Sequence, residues 1–408
     1  MRAGVTRRRV AVIAAGALAS GVLASCASGT ASSRPTVARA AEGGTDAFRG
    51  TGADSIITER VAPGVQLHRL VNLSAPWRAF VLDVDLTACV SLQSVKGAAG
   101  AEGRRTTSSL LASLRPRVTP IAAVNADFFL FAPPGVPTGA HIESGQLISG
   151  PIARPVFGVH RDGTPYIGTL SVRATVTGSR GSMLVTSWNR PTRNVPGIVD
   201  ERWGVALDST ITGTVRTLVP VSADGDRYVV RAAAESPAGA SAPASRVARG
   251  DTLFLIEVPA AEGTVVVGDT VRVTRDITPR DIRHAVGGMP VLLRDSVVVG
   301  AVDSVSNASF RGVNPRTAIG VAAGGRRVFM VVIDGRQPGY SAGMSLRETA
   351  SLLRGLGARD GVNLDGGGSS AMVVARASGS AVVNRTSDPT GERPVANAVA
   401  VVQGCATR

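Results

Sequence analysis

From Ile56 onward the chain alternates short apolar, β-branched runs with Gly, Pro and Asp, the pattern of strands separated by turns. Runs at Ala79 to Val84, Val118 to Asn125, Val205 to Leu207, Tyr228 to Ala232, Thr252 to Val258, Thr270 to Thr274, Pro290 to Leu293 and Val297 to Val299 predict strands. Helical spacing is confined to Thr107 to Leu114 and Ser345 to Leu356. In the second of these, Leu346, Ala350, Leu353 and Leu356 share one face, Ser345 to Glu348 forms a capping box, and Gly357 stops the helix. The expected fold class is α+β: a β-rich mixed sheet with few helices and a β-rich insertion.

Apolar runs flank that helix, Val328 to Ile333 before it and Gly361 to Leu364 after it, making a candidate β-α-β unit. Parallel strands joined this way bring their carboxyl ends to one sheet edge. Each run ends in Asp-Gly, so Asp334, Arg336, Asp365 and the loop Gly366-Gly367-Gly368-Ser369-Ser370 would converge there.

The glycine loop excludes two familiar chemistries. A P-loop needs a lysine after its last glycine, and Lys96 is the only lysine in the chain. A hydrolase elbow needs a His further along, but His68, His141, His160 and His284 all precede the loop. Two readings remain. The loop is either a tight turn that needs positive φ, or a row of bare amides that can approach an anion or a sugar beside Asp365.

At the other end, Arg7 to Arg9, the apolar run Val10 to Val22 and Leu23-Ala24-Ser25-Cys26 read as an export signal over residues 1–26. The last four residues resemble a bacterial lipobox, with Cys26 as the lipidated residue, and Thr6-Arg7-Arg8 resembles a twin-arginine signal. Ordinary secretion, or export to the periplasm, is the alternative. Residues 27–55 are rich in Ala, Gly, Ser and Thr and read as a flexible tether. The folded domain is expected over 56–403.

Composition changes the picture in one respect. The 408 residues carry a formal charge of +14, and losing the four arginines of the signal, with no acid, leaves +10. An exported chain with 4% aromatic residues and scattered arginines offers nucleic acid neither access nor stacking platforms. An anionic glycan remains as the partner such a charge would suit. Oligomeric state has no signature. No spacing of His, Cys or carboxylates calls for a metal, and nothing calls for a cofactor.

An ordered series of segments resembles the phosphodiester glycosidase family, typified by N-acetylglucosamine-1-phosphodiester alpha-N-acetylglucosaminidase. The series runs Asn125 to Phe129, Val286 to Leu292, Asn314 to Gly320, Asp334 to Arg336, Gly343 to Glu348, Asn363 to Ser370 and Glu392 to Asn397. It covers roughly residues 60–403, with 160–285 matching only loosely, as a β-rich insertion would. The resemblance implies hydrolysis of a sugar-1-phosphodiester at the glycosidic C–O bond, which releases the sugar and a phosphomonoester. Carboxylates for an oxocarbenium-like centre would be Asp365, Asp334 and Asp127, in that order. Arg316, Arg336 and Arg393 would clamp phosphate, with Asn125, Thr317 and Gly366 to Ser370 around the substrate. Each has a structural alternative: Asp334 as a turn residue, Asn125 and Asp127 as partners of buried backbone, Arg393 as half of an ion pair. Glu348 reads as a helix cap. Two other functions stay open, a phosphodiesterase that cleaves P–O and a non-catalytic lipoprotein that binds anionic glycan. Once Cys26 is lipidated, Cys89 and Cys405 are the thiols left in an oxidising compartment, and a disulfide between them is expected.

Overall fold

The computed structural model describes residues 46–205, 207, 213–221, 225–232, 250–261, 263–302 and 310–406. The signal, Cys26 and residues 27–45 of the expected tether lie outside them. Residues 46–55 of that tether are not loose: Asp46–Thr51 is a 3-10 helix, and Phe48 packs on the apolar layer beneath the second helix.

The fold is β-rich with few helices. Two α-helices are present among the described residues, α1 (Thr107–Ala112) and α2 (Leu346–Gly355). One sheet has the strand order Ser55–Ala62, Val65–Asn72, Trp77–Asp85, Arg327–Asp334, Arg316–Ala322, Ala358–Asn363, Val291–Arg294, Val297–Val298, every pair antiparallel. A second places Pro120–Asn125 between Met372–Arg376 and Asn397–Gln403, again antiparallel.

Period-two alternation explains how these sheets stack. Along Arg327–Asp334, Val328, Met330 and Val332 face the second sheet, in a core with Val124, Val399 and Val401. The residues between them, Phe329, Val331 and Ile333, face α2 through Leu346, Ala350 and Leu353. On the far side, α1 lays Leu110 and Leu111 against Ala123, Ala398 and Ala400. The order of layers is therefore α2, sheet, sheet, α1. A strand apolar on both faces reads in sequence as an unbroken run, as Val328 to Ile333 does.

The sequence-predicted β-α-β unit needs one correction. Arg327–Asp334 and Ala358–Asn363 run parallel, but Arg316–Ala322 lies between them, antiparallel to both. The two carboxyl ends still share an edge, and the reversed middle strand brings its own start, Arg316, to the same edge. Val205 and Leu207 are buried yet belong to no strand, a second departure from the sequence pattern. A separate eight-stranded sheet occupies Ser171–Gly178 through Thr270–Thr278, with its own apolar cluster. Cys89 and Cys405 are joined by a disulfide.

Candidate active site

The two stacked sheets are stitched together at that edge by backbone. Asp365 N–H donates to Ala126 O at 2.7 Å, and the Asn125 side-chain amide donates to Asp365 O at 2.6 Å. Asn125 Oδ1 accepts from the Thr317 hydroxyl at 2.7 Å and from Ala371 N–H at 3.1 Å. Asn125 and Thr317 are thus fully buried pins between the strand ends that meet at this edge, the last residue of Pro120–Asn125 and the start of Arg316–Ala322, and not cleft groups. Their effect is to fix where the Asp365 carboxyl emerges.

Above this seam lies a cleft of about 310 Å³. Of the sequence-predicted residues, Asp365, Gly366, Gly367, Gly368, Ser369, Arg316, Arg336 and Arg393 line it. Gly367 has φ +61°, and a side chain on Gly368 would begin 2.4 Å from the Arg393 guanidinium. The loop therefore turns through positive φ, as the first reading expects, and it also admits an arginine against bare backbone.

The three arginines differ. Arg336 is exposed and gives Nε and one terminal nitrogen to Asn314 Oδ1, at 3.1 and 2.9 Å. Arg393 pairs with Asp388 at 2.6 Å, while Glu392 turns away to receive Ser108 N–H at the start of α1. Arg316 is 3% exposed and donates to the carbonyls of Met344, Phe310 and Gly312 at 2.8–2.9 Å. That makes Arg316 chiefly the organiser of the cleft wall, whereas the sequence reading placed it with Arg336 and Arg393 as a phosphate clamp. Burial pulls its guanidinium down to about 10, and Arg336 adds to the fall.

Burial pushes the Asp365 carboxyl up to about 7, and the nearby Asp127 charge adds to the rise. The Ser369 hydroxyl lies near enough to oppose this, although it closes no hydrogen bond of standard geometry. Asp127 is 1% exposed and sits behind the cleft lining, accepting Gly139 N–H at 2.8 Å. Burial lifts it to about 6 against the pull of that amide, Arg190 and Arg154.

Asp334, the second catalytic candidate in the sequence reading, is placed elsewhere. It receives the Asn384 amide and Arg385 N–H at 2.9 Å and the Tyr340 hydroxyl at 3.2 Å, and it does not line the cleft. With its oxygens engaged, it is a structural anchor for residues 384–385. Ser370 is likewise buried behind the lining. Glu348 closes the capping box with Ser345. Among the described residues, no three His, Cys, Asp or Glu side chains are placed to share a metal ion.

Sequence reasoning took Phe128 and Phe129 as core residues or a face for a sugar ring, and missed that an aromatic wall of the cleft extends beyond them. Phe128, Phe129, Phe131 and Phe310 line it, with Phe128 and Phe310 edge-on at 5.1 Å between centroids. It also missed Asn363, whose amide nitrogen donates to Met289 O and Leu364 O at 2.7 and 2.8 Å, leaving Oδ1 buried without a protein partner. A long polar residue at the strand end before Asp365 was the available signal.

The phosphodiester glycosidase family model matches over residues 245–402. Residues 245–402 belong to that family. Its segment contributes Arg316, Arg336, Asp365, the glycine loop and Arg393, while Asn125 and Asp127 fall before it. A hypothetical protein from Synechocystis has the same fold, with TM-score 0.68 and 22% identity, over 86% of this chain and 64% of its own. The chain thus spans just under two thirds of that neighbour's length. A putative exported protein from Burkholderia pseudomallei gives TM-score 0.59 and 26% identity over 80% of this chain and 74% of its own. The zebrafish N-acetylglucosamine-1-phosphodiester alpha-N-acetylglucosaminidase catalytic domain, auto-inhibited by its pro-peptide, gives 0.46 and 15% over 84% and 85%. No curated protein matches the chain.

Proposed function

We propose that this cleft hydrolyses a sugar-1-phosphodiester of an exported or cell-envelope glycan, breaking the glycosidic C–O bond. The observation that carries the reading is Asp365, a cleft carboxyl with its proton affinity raised to about 7, facing Arg336 and Arg393 across a glycine loop. A phosphate ester leaves readily, so the reaction's main needs are an anion clamp and a group that answers charge at the anomeric carbon. Arg336 and Arg393 supply the clamp, and Asp365 answers the developing positive charge or attacks it. Asn363 Oδ1 and Ser369 Oγ, buried without protein partners, suit sugar hydroxyls. The phenylalanine wall suits the apolar face of a ring.

The test is hydrolysis of a panel of sugar-1-phosphodiesters in heavy-oxygen water. Label is expected in the sugar; label in the phosphate would mean P–O cleavage instead, and binding without turnover would leave a glycan-binding protein. Arg336→Ala should lower kcat/KM by roughly 10- to 100-fold, the worth of a charge-assisted hydrogen bond. A substrate with a neutral leaving group should lose much less, and equal losses on both substrates would remove Arg336 from the phosphate.

We also infer export with a lipid anchor on Cys26, supported by the signal and by the description of the Burkholderia neighbour as exported. Cys26→Ala should release the protein from membrane fractions, and unchanged membrane association would refute the anchor.

A further inference from the structure

The second carboxylate, Asp127, is held from outside the family segment. Its Oδ2 accepts Gly139 N–H at 2.8 Å, and side chains on Gly139 or Gly287 would begin 2.9 or 2.5 Å from that same oxygen. Such close packing leaves Asp127 little room to relax. The loop carrying Gly139 is gripped by one residue: Arg190 donates to Pro137 O at 2.8 Å, Gly139 O at 2.7 Å and Gly150 O at 3.3 Å, and to the Ser149 hydroxyl. Arg154 reaches the same loop through Thr138 Oγ1 at 3.0 Å, and that hydroxyl lies 3.5 Å from Asp127 Oδ1. Arg190 is itself fixed, because the preceding Asn189 donates to Leu147 O and Asp200 at 2.8 and 2.7 Å.

We propose that Arg190, with Arg154 in support, is a positioning residue that keeps Asp127 ionised beside Asp365, so that residues 137–190 set the protonation of a cleft carboxyl they do not touch. This rests on the proposed role of Asp365 for its catalytic consequence only. The physical logic is a relay of charge. A guanidinium near a buried carboxyl favours the carboxylate. The resulting negative charge raises the proton affinity of the carboxyl next to it, and the two groups titrate as a pair. The charged groups facing Asp127 are Arg190, Arg154 and Asp365, and its amide donor is Gly139. Those acting on Asp365 are Asp127 and Arg393, with Ser369 and the Gly366 amide. Neither arginine lies within residues 245–402, so the family match carries no information about them.

The experiment is a carboxyl-carbon NMR titration of the full chain without substrate, set beside the pH dependence of kcat. In Arg190→Ala, the Asp127 midpoint should rise by about one unit and the Asp365 midpoint should fall, and the kcat limb that follows Asp365 should move to lower pH. Arg190→Lys should restore most of both shifts. A variant that merely loosened the loop would not move the two carboxyls in opposite directions. If Arg190→Ala does not fold, Arg154→Ala, which removes the hydrogen bond to Thr138 Oγ1 in the loop, should give smaller shifts of the same signs. Unchanged midpoints, or midpoints that move together, would overturn the proposal. Opposed shifts in a protein that cleaves no sugar phosphodiester would uphold the clamp and overturn only the catalytic reading.

Discussion

Asp365→Asn is expected to lower kcat by roughly 10² or more while KM changes little, because in the proposed mechanism the carboxyl answers charge that exists only in the transition state. Asn keeps the size of the side chain and neither backbone bond at position 365 depends on it, so the seam to Asn125 and Ala126 should survive. Stability should move the other way. The carboxyl is raised in the fold from 3.8 to about 7, chiefly by burial. A group with a raised folded pKa contributes stability that is complete below its unfolded value, near pH 4, and is lost as pH climbs through about 7. Asn cannot ionise and escapes that loss. The variant should therefore match wild type near pH 4 and exceed it by on the order of 4 kcal/mol at pH 8. Urea unfolding at the two pH values, run beside steady-state kinetics, checks both halves. Near-wild-type turnover in a folded variant would take Asp365 out of the mechanism, and lower stability at pH 8 would mean its charge is compensated.

Features whose cause is local were readable in the sequence. The capping box of α2 needs only Ser345 and Glu348, and both bonds form as the motif implies. The alternating faces of Val328 to Ile333 are hidden inside an unbroken apolar run, but the burial of that run on both sides was legible. What sequence could not give was pairing at a distance. Nothing in Arg316–Ala322 says that it will slide between the two strands of the β-α-β unit, yet that insertion is what puts Arg316 on the site edge. The same limit explains Asp334. Its Asp-Gly signal is identical to that of Asp365, and only the distant Asn384 and Arg385 decide that one carboxylate becomes an anchor while the other lines a cleft. Arg190 carried no motif at all, since its importance comes from carbonyls forty to fifty-three residues away in sequence.

Removing the disulfide should produce the largest loss of stability. Cys89 follows a 3-10 turn in the left-handed region, φ 54°, and Gly404 N–H donates to its carbonyl at 2.9 Å. The next residue, Val90, stands opposite Gln403, so the bond closes the end of the ladder between Val90–Lys96 and Asn397–Gln403. The ladder is formed only in the folded state, whereas the bond also persists in the unfolded chain. There it closes a loop of 316 residues that contains the whole cleft, the clamp of Asp127 and the separate β-sheet. In the chain-entropy account such a closure is worth on the order of 5 to 6 kcal/mol, acting by restricting the unfolded ensemble and not by adding contacts to the folded one. Two consequences can be separated. Cys89→Ser with Cys405→Ser should lower the unfolding free energy by that order, and reductant should do the same to wild type while leaving the double variant unchanged. The folded site should be little altered, because neither cysteine lines the cleft, so kcat below the unfolding transition should stay within about twofold. A double variant with the denaturation midpoint of oxidised wild type would show that the ladder alone holds the chain ends, and a large fall in kcat at full folding would show that the bond transmits strain to the site.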